Sequence, residues 1–326
     1  MKIRELGKSD IKICEVGLGC WQLGGDSGPM DEETAFSIMK TAVENGTTFF
    51  DTADIYGGGQ SEKLIGQFKR SCNVPITVAT KFGQSSDVFP DRYTKEKLIS
   101  TVQGSLQRLG VDTLDLLQLH CVPPDVLRDG DIFDWLREIK YEGLIKNFGA
   151  SVESIEEAFI CLDQKGLVSL QVIFNIFRQK LITELFPRVK DRGVGIIVRL
   201  PVASGLLTGK FTTETKFFET DHRNFNRDGQ YFNVGETFAG LPFEKGVELS
   251  DLLKELVPEG MSMTQMALRW ILDYDAVTVV IPGASSSIQA KENATVSYLK
   301  PLPEELHDVL RQFYDLNVHS HIRGPY

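Results

Sequence analysis

The sequence predicts an α/β protein with a (β/α)₈ barrel (TIM barrel) fold. Eight short apolar runs typical of buried strands recur along its 326 residues, and segments with the apolar spacing of helices lie between them. This alternation requires a parallel sheet covered by helices, and eight repeats favour a closed barrel over an open sheet. Because the repeats use nearly the whole length, we expect one domain over residues 1–326.

The predicted elements begin with an N-terminal β-hairpin over residues 3–13. Its two short strands flank a polar Gly-Lys-Ser-Asp turn, and we expect the hairpin to cover the floor of the barrel. The barrel strands are rich in Val, Ile, Leu and Phe. They are predicted at residues 16–19, 47–50, 76–80, 114–119, 145–150, 170–174, 195–200 and 277–281.

Helices are predicted between the strands and after a long loop that follows strand seven. Asp31 and Thr94 each precede apolar residues spaced three and four positions apart, as helix-capping residues do. Residues 208–241 are rich in Gly, Asn, Phe and Thr and predict a long loop, followed by helices near 243–257 and 264–272. Long loops at this end of a barrel are usually functional. Several phenylalanines of residues 208–241 either form an apolar wall or pack the loop itself, and packing is favoured: Phe211, Phe217, Phe218 and Phe225.

Composition excludes several classes of function. A formal net charge of −10 argues against a nucleic-acid or anionic-membrane partner, since both need a basic surface. The N-terminus lacks the apolar core of a signal peptide and no run is long enough for a membrane helix, so we expect a cytoplasmic location. The five scattered cysteines contain no CxxC and are expected to be reduced thiols.

Polar or special residues follow each predicted strand. In a barrel these residues converge at the C-terminal mouth, although they lie far apart in the sequence. A mouth that combines Asp, Lys and His with a nearby Tyr is typical of a catalytic site. The residues in strand order are Trp21, Asp51, Lys81, His120, Ser151, Gln171 with Asn175, Arg199, and the Gly283-Ala284-Ser285 turn.

Each titratable residue also has an ordinary structural explanation. Asp51 would cap a turn, Lys81 would be solvated, and His120 would be satisfied in the core. Tyr56 would be a loop aromatic. These explanations weaken when all four groups share one mouth, because buried titratable groups are costly unless they pair with one another.

The four groups together suggest carbonyl reduction. A phenol titrates near pH 10, and a cation within 4–6 Å lowers the pKa of an acid by about 1–3 units, so Lys81 is expected to tune Tyr56. Asp51 would hold Lys81, while His120 would hydrogen-bond the substrate oxygen. Protein side chains supply no hydride, so a nicotinamide cofactor is implied.

The motifs that carry these residues resemble those of the aldo-keto reductase superfamily. FFDTADIYGGGQSEKLIG, ITVATKFG, DLLQLH, NFGAS, QVIFN, LPVASGLLTGK and IPGAS occur in the family's order and span essentially the whole chain. The chain is most similar to a bacterial branch that also resembles the β-subunits of voltage-gated potassium channels. The resemblance implies a catalytic tetrad of Asp51, Tyr56, Lys81 and His120. Tyr56 would be the general acid in reduction and the general base in oxidation.

The resemblance also implies a set of cofactor contacts. Ser151 and Gln171 would bind the nicotinamide carboxamide, Arg199 replaces the aromatic residue that often stacks on the ring, and Trp21 would border the cofactor and shape the substrate pocket. NADP(H) is favoured and NAD(H) stays open, because serines follow Gly-Ala where many relatives have Arg or Lys. The phosphate contacts would be Leu200, Pro201, Ala203, Lys210 and Arg223, and the 2′-phosphate region would be Gly283, Ala284, Ser285, Gln289 and Asn293.

Two other functions and one local question remain open. The chain could be a cofactor-sensing regulatory subunit with vestigial turnover, or a lyase that uses Lys81 as a Schiff-base nucleophile. No metal is expected, because His319 and His321 lack a partner cluster. The three glycines after Tyr56 would let the loop turn sharply, with Ser61 capping the next helix. The substrate, the direction of reaction and the oligomeric state do not follow from the sequence.

Overall fold

A computed structural model describes residues 1–25 and 28–326, and within them eight parallel strands form a barrel, as predicted. Each strand pairs with its neighbours in chain order, which is the topology of repeated βα units. The strands are β3 (Leu18–Gly19), β4 (Phe49–Asp51), β5 (Thr77–Phe82), β6 (Leu116–His120), β7 (Phe148–Ser151), β8 (Leu167–Ile173), β9 (Gly195–Arg199) and β10 (Val277–Val280), preceded by a hairpin of β1 (Ile3–Glu5) and β2 (Lys12–Cys14).

The barrel closes between its first and last strands. Parallel bridges join Val16 to Val280 and Gly19 to Gly283, and the Gly17 N–H donates to the Val280 carbonyl at 2.8 Å. A Cβ on Gly19 would lie 2.8 Å from the Ile281 carbonyl oxygen, closer than side chains tolerate. Glycine at position 19 therefore lets the two strands approach and close the sheet.

The N-terminal hairpin covers the floor of the barrel, as predicted. Strands β1 and β2 pair antiparallel, with Ile3 opposite Cys14. A buried apolar cluster joins the hairpin to side chains inside the barrel: Leu6, Ile13, Cys14, Phe49, Ala79, Leu116, Val168, Ile197, Val279 and Ile281. Apolar burial at this end leaves polar side chains concentrated at the opposite, C-terminal end.

Helices surround the barrel, and two predicted caps are confirmed. Asp31 accepts a hydrogen bond from the Thr34 N–H, and Thr94 accepts one from the Lys97 N–H. In the described parts of the chain, no helix combines the length and the apolar character needed to cross a membrane. The helices are α1 (Glu32–Glu44), α2 (Gln60–Ser71), α3 (Lys95–Leu109), α4 (Pro124–Asp129), α5 (Asp131–Tyr141), α6 (Ile155–Leu162), α7 (Leu181–Glu184), α8 (Phe186–Arg192), α9 (His222–Phe225), α10 (Phe243–Lys254), α11 (Met263–Leu272), α12 (Ser287–Thr295) and α13 (Glu304–Phe313).

The long loop between β9 and α10 is held by an aromatic cluster. Phe217 packs against Phe211, Phe238 and Phe243 with ring centroids 5.3, 5.9 and 5.7 Å apart. The predicted packing role is therefore confirmed for Phe211 and Phe217. Phe218 is instead 63% exposed. The contacts of Phe211 and Phe217 with the buried rings of Phe238 and Phe243 hold the middle of the loop in place.

Candidate functional site

Asp51, Lys81 and Tyr56 meet at the C-terminal mouth of the barrel. Lys81 Nζ donates to Asp51 Oδ1 at 2.6 Å, to the Thr52 carbonyl oxygen at 2.7 Å and to the Tyr56 hydroxyl at 3.4 Å. The Lys81 side chain is 1% exposed, so this ion pair lies away from water. The fold thus joins three of the four predicted catalytic residues through one ammonium group.

Two glutamines complete the surroundings of Asp51. Gln118 Nε2 and Gln171 Nε2 donate to Asp51 Oδ2 at 3.0 and 2.7 Å. Ser151 Oγ donates to Gln171 Oε1 at 3.4 Å. The two residues predicted to bind the nicotinamide carboxamide therefore lie together here. Sequence reasoning missed Gln118. A single amide within an otherwise apolar strand was the available signal, because it must find a buried partner.

The expected lowering of the Tyr56 pKa is not what the structure gives. Burial raises the pKa of the phenol to about 12, and the charge of Lys81 lowers it by less than burial raises it. The sequence identified the cation correctly but gave no measure of desolvation. Tyr56 therefore keeps its proton throughout the neutral pH range, which suits a proton donor.

Lys81 is charged, whereas His120 is neutral. Burial alone would lower the pKa of Lys81, but Asp51 and Tyr56 outweigh it, so the pKa is raised and the ammonium stays charged. Burial, with the charges of Lys81 and Arg199, holds the pKa of His120 well below its usual value. The imidazole is therefore neutral. Its ring lies edge-on to Tyr56, with centroids 6.0 Å apart, and can hydrogen-bond an oxygen at the same point.

The segment after β4 carries Tyr56 to the mouth and then turns on glycines. Gly57, Gly58 and Gly59 all have positive φ, of 58°, 61° and 89°. A Cβ on Gly57 would lie 2.2 Å from the Gly24 carbonyl oxygen, so the close approach of the two loops needs glycine.

The predicted helix cap at Ser61 was wrong. Gly59 occupies the cap position, and Ser61 lies within α2. The Ser61 hydroxyl is buried, donates to the Cys20 carbonyl and accepts from Thr52 Oγ1, both at 2.8 Å. The serine therefore ties the segment that carries Tyr56 to the end of β3.

Arg199 is surrounded by acceptors that the sequence did not link to it. Its guanidinium pairs with Glu236 of the long loop and donates to the Val152 carbonyl at 3.1 Å. One oxygen or sulfur atom each of Cys121, Glu153 and Glu236 lies within 4.8 Å of the others. Because Arg199 already supplies a cation to this group, we assign no metal to it. All five cysteines are free thiols, as predicted.

The segment after β9 is strained and firmly held. Leu200, Ala203 and Ser204 have positive φ values of 51°, 48° and 54°, which non-glycine residues rarely adopt. Asn175 Nδ2 donates to the Leu200 carbonyl at 2.9 Å and supports the turn. Strain of this kind costs on the order of 1–3 kcal/mol per residue and concentrates at functional sites. The segment includes three of the predicted phosphate contacts: Leu200, Pro201 and Ala203.

The two predicted phosphate-binding cations differ in their surroundings. Lys210 is exposed beyond the strained segment. Arg223 also approaches this segment, but its guanidinium forms a two-point pair with Asp221, at 2.9 and 2.5 Å. The charge of Arg223 is therefore already balanced, so Lys210 is the better candidate for binding an anion.

The predicted 2′-phosphate region forms a compact turn at the start of α12. The backbone N–H and the hydroxyl of Ser285 donate to Gln289 Oε1 at 2.8 and 3.0 Å. Asn293 Nδ2 donates to the Gly283 carbonyl at 3.1 Å. Ser286 caps the helix, so hydroxyl and backbone N–H groups gather at a helix N-terminus, where anions are favoured.

Trp21 borders the mouth on the side of the long loop. Its ring meets that of His222 on α9 edge-on, with centroids 4.5 Å apart. This contact brings the loop beside the strand ends, as expected for a loop that shapes a pocket. His319 and His321 lie instead in a short helical turn, where His319 contacts Tyr314.

A cavity of about 560 Å³ lies at the other end of the barrel. It is lined by residues of the hairpin turn and of the loops before β8 and β9, including Lys8, Gly166 and Gly193. None of the strand-end residues of the mouth lines it. The titratable groups and the strained backbone are at the mouth, so we place the candidate site there.

Asp54 lies two residues before Tyr56, and its negative charge is poorly balanced by its surroundings. Within the parts of the chain that the structure describes, its Oδ1 is buried without a hydrogen-bond partner. Burial first, and then the carboxylate of Glu62, raise the pKa of Asp54 to about 7, against the opposing charges of Arg108 and Lys81. Glu62 already pairs with Arg108 at 2.6 Å. The positive charge of Arg108 therefore acts on two carboxylates, those of Glu62 and Asp54.

We expect Asp54→Asn to stabilise the protein more at pH 8 than at pH 5. The folded pKa of Asp54 lies above its ordinary value of 3.8, so the folded state binds the extra proton and wild-type stability falls as pH rises from about 4 to 7. Because Asp54 is only half-buried, we expect the pH-dependent gain to be about 1–2 kcal/mol. Urea unfolding at both pH values measures it. Asp112→Asn, at an exposed position, is the control, and an equal response of the two variants would contradict this account.

Comparisons with known proteins identify a matching family and a matching fold. A family model described as the aldo/keto reductase family matches residues 15–315. The glycerol dehydrogenase AKR11B4 from Gluconobacter oxydans has a similar structure, with a TM-score of 0.79 and 26% sequence identity. That match covers 99% of this chain and 97% of the other.

Three curated proteins show the range of relatives. The uncharacterized oxidoreductase YqkF of Bacillus subtilis is 31% identical, over 94% of each protein. A probable voltage-gated potassium channel subunit beta of Arabidopsis thaliana is 28% identical, over 93% of each. The NADH-specific methylglyoxal reductase of Escherichia coli is 28% identical, over 90% of this chain and 92% of that protein.

Proposed function

The chain belongs to the aldo/keto reductase family, a family of oxidoreductases, and we propose that it reduces aldehydes or ketones, or oxidises sugar-like alcohols in reverse. The observation that carries this proposal is the Tyr56 hydroxyl, held 3.4 Å from Lys81 Nζ, which in turn lies 2.6 Å from Asp51 Oδ1. Together with neutral His120, these groups can protonate a carbonyl oxygen. A cytoplasmic location stays a prediction from the sequence.

Three features support a nicotinamide cofactor at the mouth. Ser151 and Gln171 offer hydroxyl and amide groups for a carboxamide, and the turn from Leu200 to Ser204 is strained as at a ligand site. Lys210 and the start of α12 offer a cation and N–H donors for phosphates. When bound, the nicotinamide supplies or accepts the hydride.

The side chains have separate tasks in reduction. Tyr56 donates its proton to the carbonyl oxygen as negative charge develops there, and Lys81 stabilises the phenolate that remains. Asp51 keeps Lys81 charged and aimed, since its carboxylate accepts from Lys81 at 2.6 Å. His120 donates a hydrogen bond that orients the carbonyl. A phenol with a pKa of about 12 favours the protonated form that reduction needs.

We propose NADP(H) as the cofactor, with NAD(H) as the alternative. Serines at the start of α12 and the amides of Gln289 and Asn293 support a 2′-phosphate there. The methylglyoxal reductase relative is named as NADH-specific, which supports keeping NAD(H) as the alternative. The choice between them follows from the ratio of kcat/KM for NADPH and NADH.

The test is a spectrophotometric panel of aldehydes, ketones and sugars with both reduced and both oxidised nucleotides. We expect rapid oxidation of NADPH by at least one carbonyl compound. Tight nucleotide binding without turnover would favour the regulatory alternative instead. A Schiff-base lyase is disfavoured because Lys81 stays protonated, and covalent trapping of Lys81 by borohydride with a ketone would reverse that judgement.

A further inference from the structure

One carboxylate pairs with the guanidinium of Arg199 at the mouth, and a second lies close to that pair. Arg199 is 11% exposed and pairs with Glu236, which is 20% exposed. Its other amino group donates to the Val152 carbonyl at 3.1 Å and lies 3.8 Å from Cys121 Sγ. Glu153 contributes the second carboxylate, within 4.8 Å of Glu236. The pair and the second carboxylate therefore form one electrostatic unit.

Backbone contacts of the long loop hold Glu236 beside Arg199. Ser204 Oγ donates to the Glu236 carbonyl at 3.3 Å, and Asn233 Oδ1 accepts from the Gly235 N–H at 2.7 Å. A Cβ on Gly235 would lie 2.2 Å from an Arg178 nitrogen, so the loop packs closely here. The backbone at Glu236 is thus held by contacts other than the ion pair with Arg199.

The net charge of the unit lies between zero and minus one. Arg199 balances Glu236, while burial first and then Glu236 raise the pKa of Glu153 to about 7, against the charge of Arg199. Glu157 also faces Glu153 and raises its pKa further, and Asn233 opposes it. Burial raises the pKa of the Cys121 thiol, so that group is neutral. Ionisation of Glu153 therefore leaves one uncompensated negative charge.

This unit borders the place that the proposed function gives to the nicotinamide. Val152 directly follows Ser151, and Cys121 Sγ lies 3.9 Å from Ser151 Oγ. Arg199 alone would oppose an oxidised nicotinamide ring, which carries a positive charge that the reduced ring lacks. Carboxylates beside Arg199 reverse that effect, because opposite charges at short range stabilise one another.

Resting on that proposed function, we propose that Glu236 and Glu153 set the preference between oxidised and reduced cofactor, by making the surroundings of Arg199 favour the oxidised form. Glu236 cancels the charge of Arg199, and Glu153 adds a negative charge that grows between pH 6 and pH 8. Neither carboxylate takes part in proton or hydride transfer. They are positioning and charge-setting residues for the cofactor.

The decisive variant is Glu236→Gln, which keeps a hydrogen-bond acceptor for Arg199 and removes the charge. Dissociation constants of the oxidised and reduced nucleotides are measured separately by titration calorimetry, without substrate. We expect the ratio of the oxidised to the reduced constant to rise by about 10-fold, equivalent to about 1.4 kcal/mol. A purely structural role would weaken both nucleotides equally and leave the ratio unchanged.

Glu153→Gln tests how the ratio of the two dissociation constants depends on pH. At pH 6 Glu153 already carries its proton, so the ratio should change little, whereas at pH 8.5 it should rise several-fold. Glu244→Gln, with a side chain 68% exposed in the first turn of α10, directly after the same loop, is the matched control and should leave the ratio unchanged.

The outcomes separate this inference from the proposed function. Ratios that stay at the wild-type value in Glu236→Gln, and in Glu153→Gln at pH 8.5, would overturn the inference alone. A wild-type protein that binds neither form of either nucleotide would overturn the proposed function and the inference with it.

Discussion

Tyr56→Phe should lower the turnover of carbonyl reduction by at least about 10²-fold while nucleotide affinity stays nearly unchanged. The variant removes one hydroxyl and leaves the ring in place against His120, whose centroid lies 6.0 Å away. Among the residues that the structure describes, the Tyr56 hydroxyl is the one hydrogen-bond partner of Lys81 Nζ that carries a removable proton at neutral pH. Steady-state kinetics and nucleotide titration of the same preparation measure the two quantities.

The matched control for this prediction is Tyr93→Phe. Tyr93 is also a half-buried phenol, but its hydroxyl donates to the Gly83 carbonyl at 2.9 Å and has no contact with Lys81. Its loss should change turnover by no more than about threefold. Unchanged turnover in Tyr56→Phe would mean that the proton comes from another group, and the tetrad hypothesis would be wrong.

The pH dependence of the wild-type enzyme provides an independent check. Because the pKa of Tyr56 is about 12, the phenol stays protonated from pH 6 to pH 10, and deprotonation of Tyr56 should cause no loss of reduction over that interval. Oxidation of an alcohol needs the phenolate and should accelerate as pH rises over the same range. The two directions should therefore differ in their pH response: Tyr56 leaves reduction level while oxidation accelerates.

Lys81→Met should lower the free energy of unfolding and abolish most of the activity. The substitution leaves Asp51, which is 3% exposed, with two glutamine donors but no opposite charge. Removing one partner of a buried ion pair typically costs about 3–5 kcal/mol, because the remaining charge is desolvated and unpaired. We expect a loss of stability in that range by urea unfolding and a fall in kcat of at least about 10²-fold.

A double variant distinguishes the charge from the packing. Asp51→Asn combined with Lys81→Met removes both charges, so it should recover much of the stability lost in Lys81→Met while turnover stays low. If the double variant were as unstable as the single one, the uncompensated charge would not be the cause. The folded pKa of Lys81 is raised, so the pair's stabilisation is fully present below about pH 10 and is lost as pH rises through that folded value.

The acids around Arg199 change how the sequence motif that contains it should be interpreted. An arginine in the place of a stacking aromatic looks unfavourable for an oxidised nicotinamide when the strand is considered alone. The structure adds Glu236, which is 37 residues away in the sequence, and Glu153 on a neighbouring loop. Arginine at this position should therefore be evaluated together with the acids that surround it.

The order of the strands and the residues at their ends could be predicted from the amino-acid sequence. Strand runs and helix caps are local patterns of apolar spacing and residue type, so Asp31 and Thr94 were identified without the tertiary structure. The convergence of Asp51, Tyr56, Lys81 and His120 followed once a closed barrel was inferred, because a barrel brings all strand ends to one mouth.

The surroundings of those residues became known from the three-dimensional fold. The two glutamines on Asp51, the misassigned cap at Ser61 and the pairing of Arg199 with Glu236 depend on distances across the closed barrel and its loop. The pKa of Tyr56 rose where the sequence predicted a fall, because the cost of burial exceeded the effect of Lys81. Desolvation depends on how much water the whole fold excludes, and no local pattern in the chain encodes that quantity.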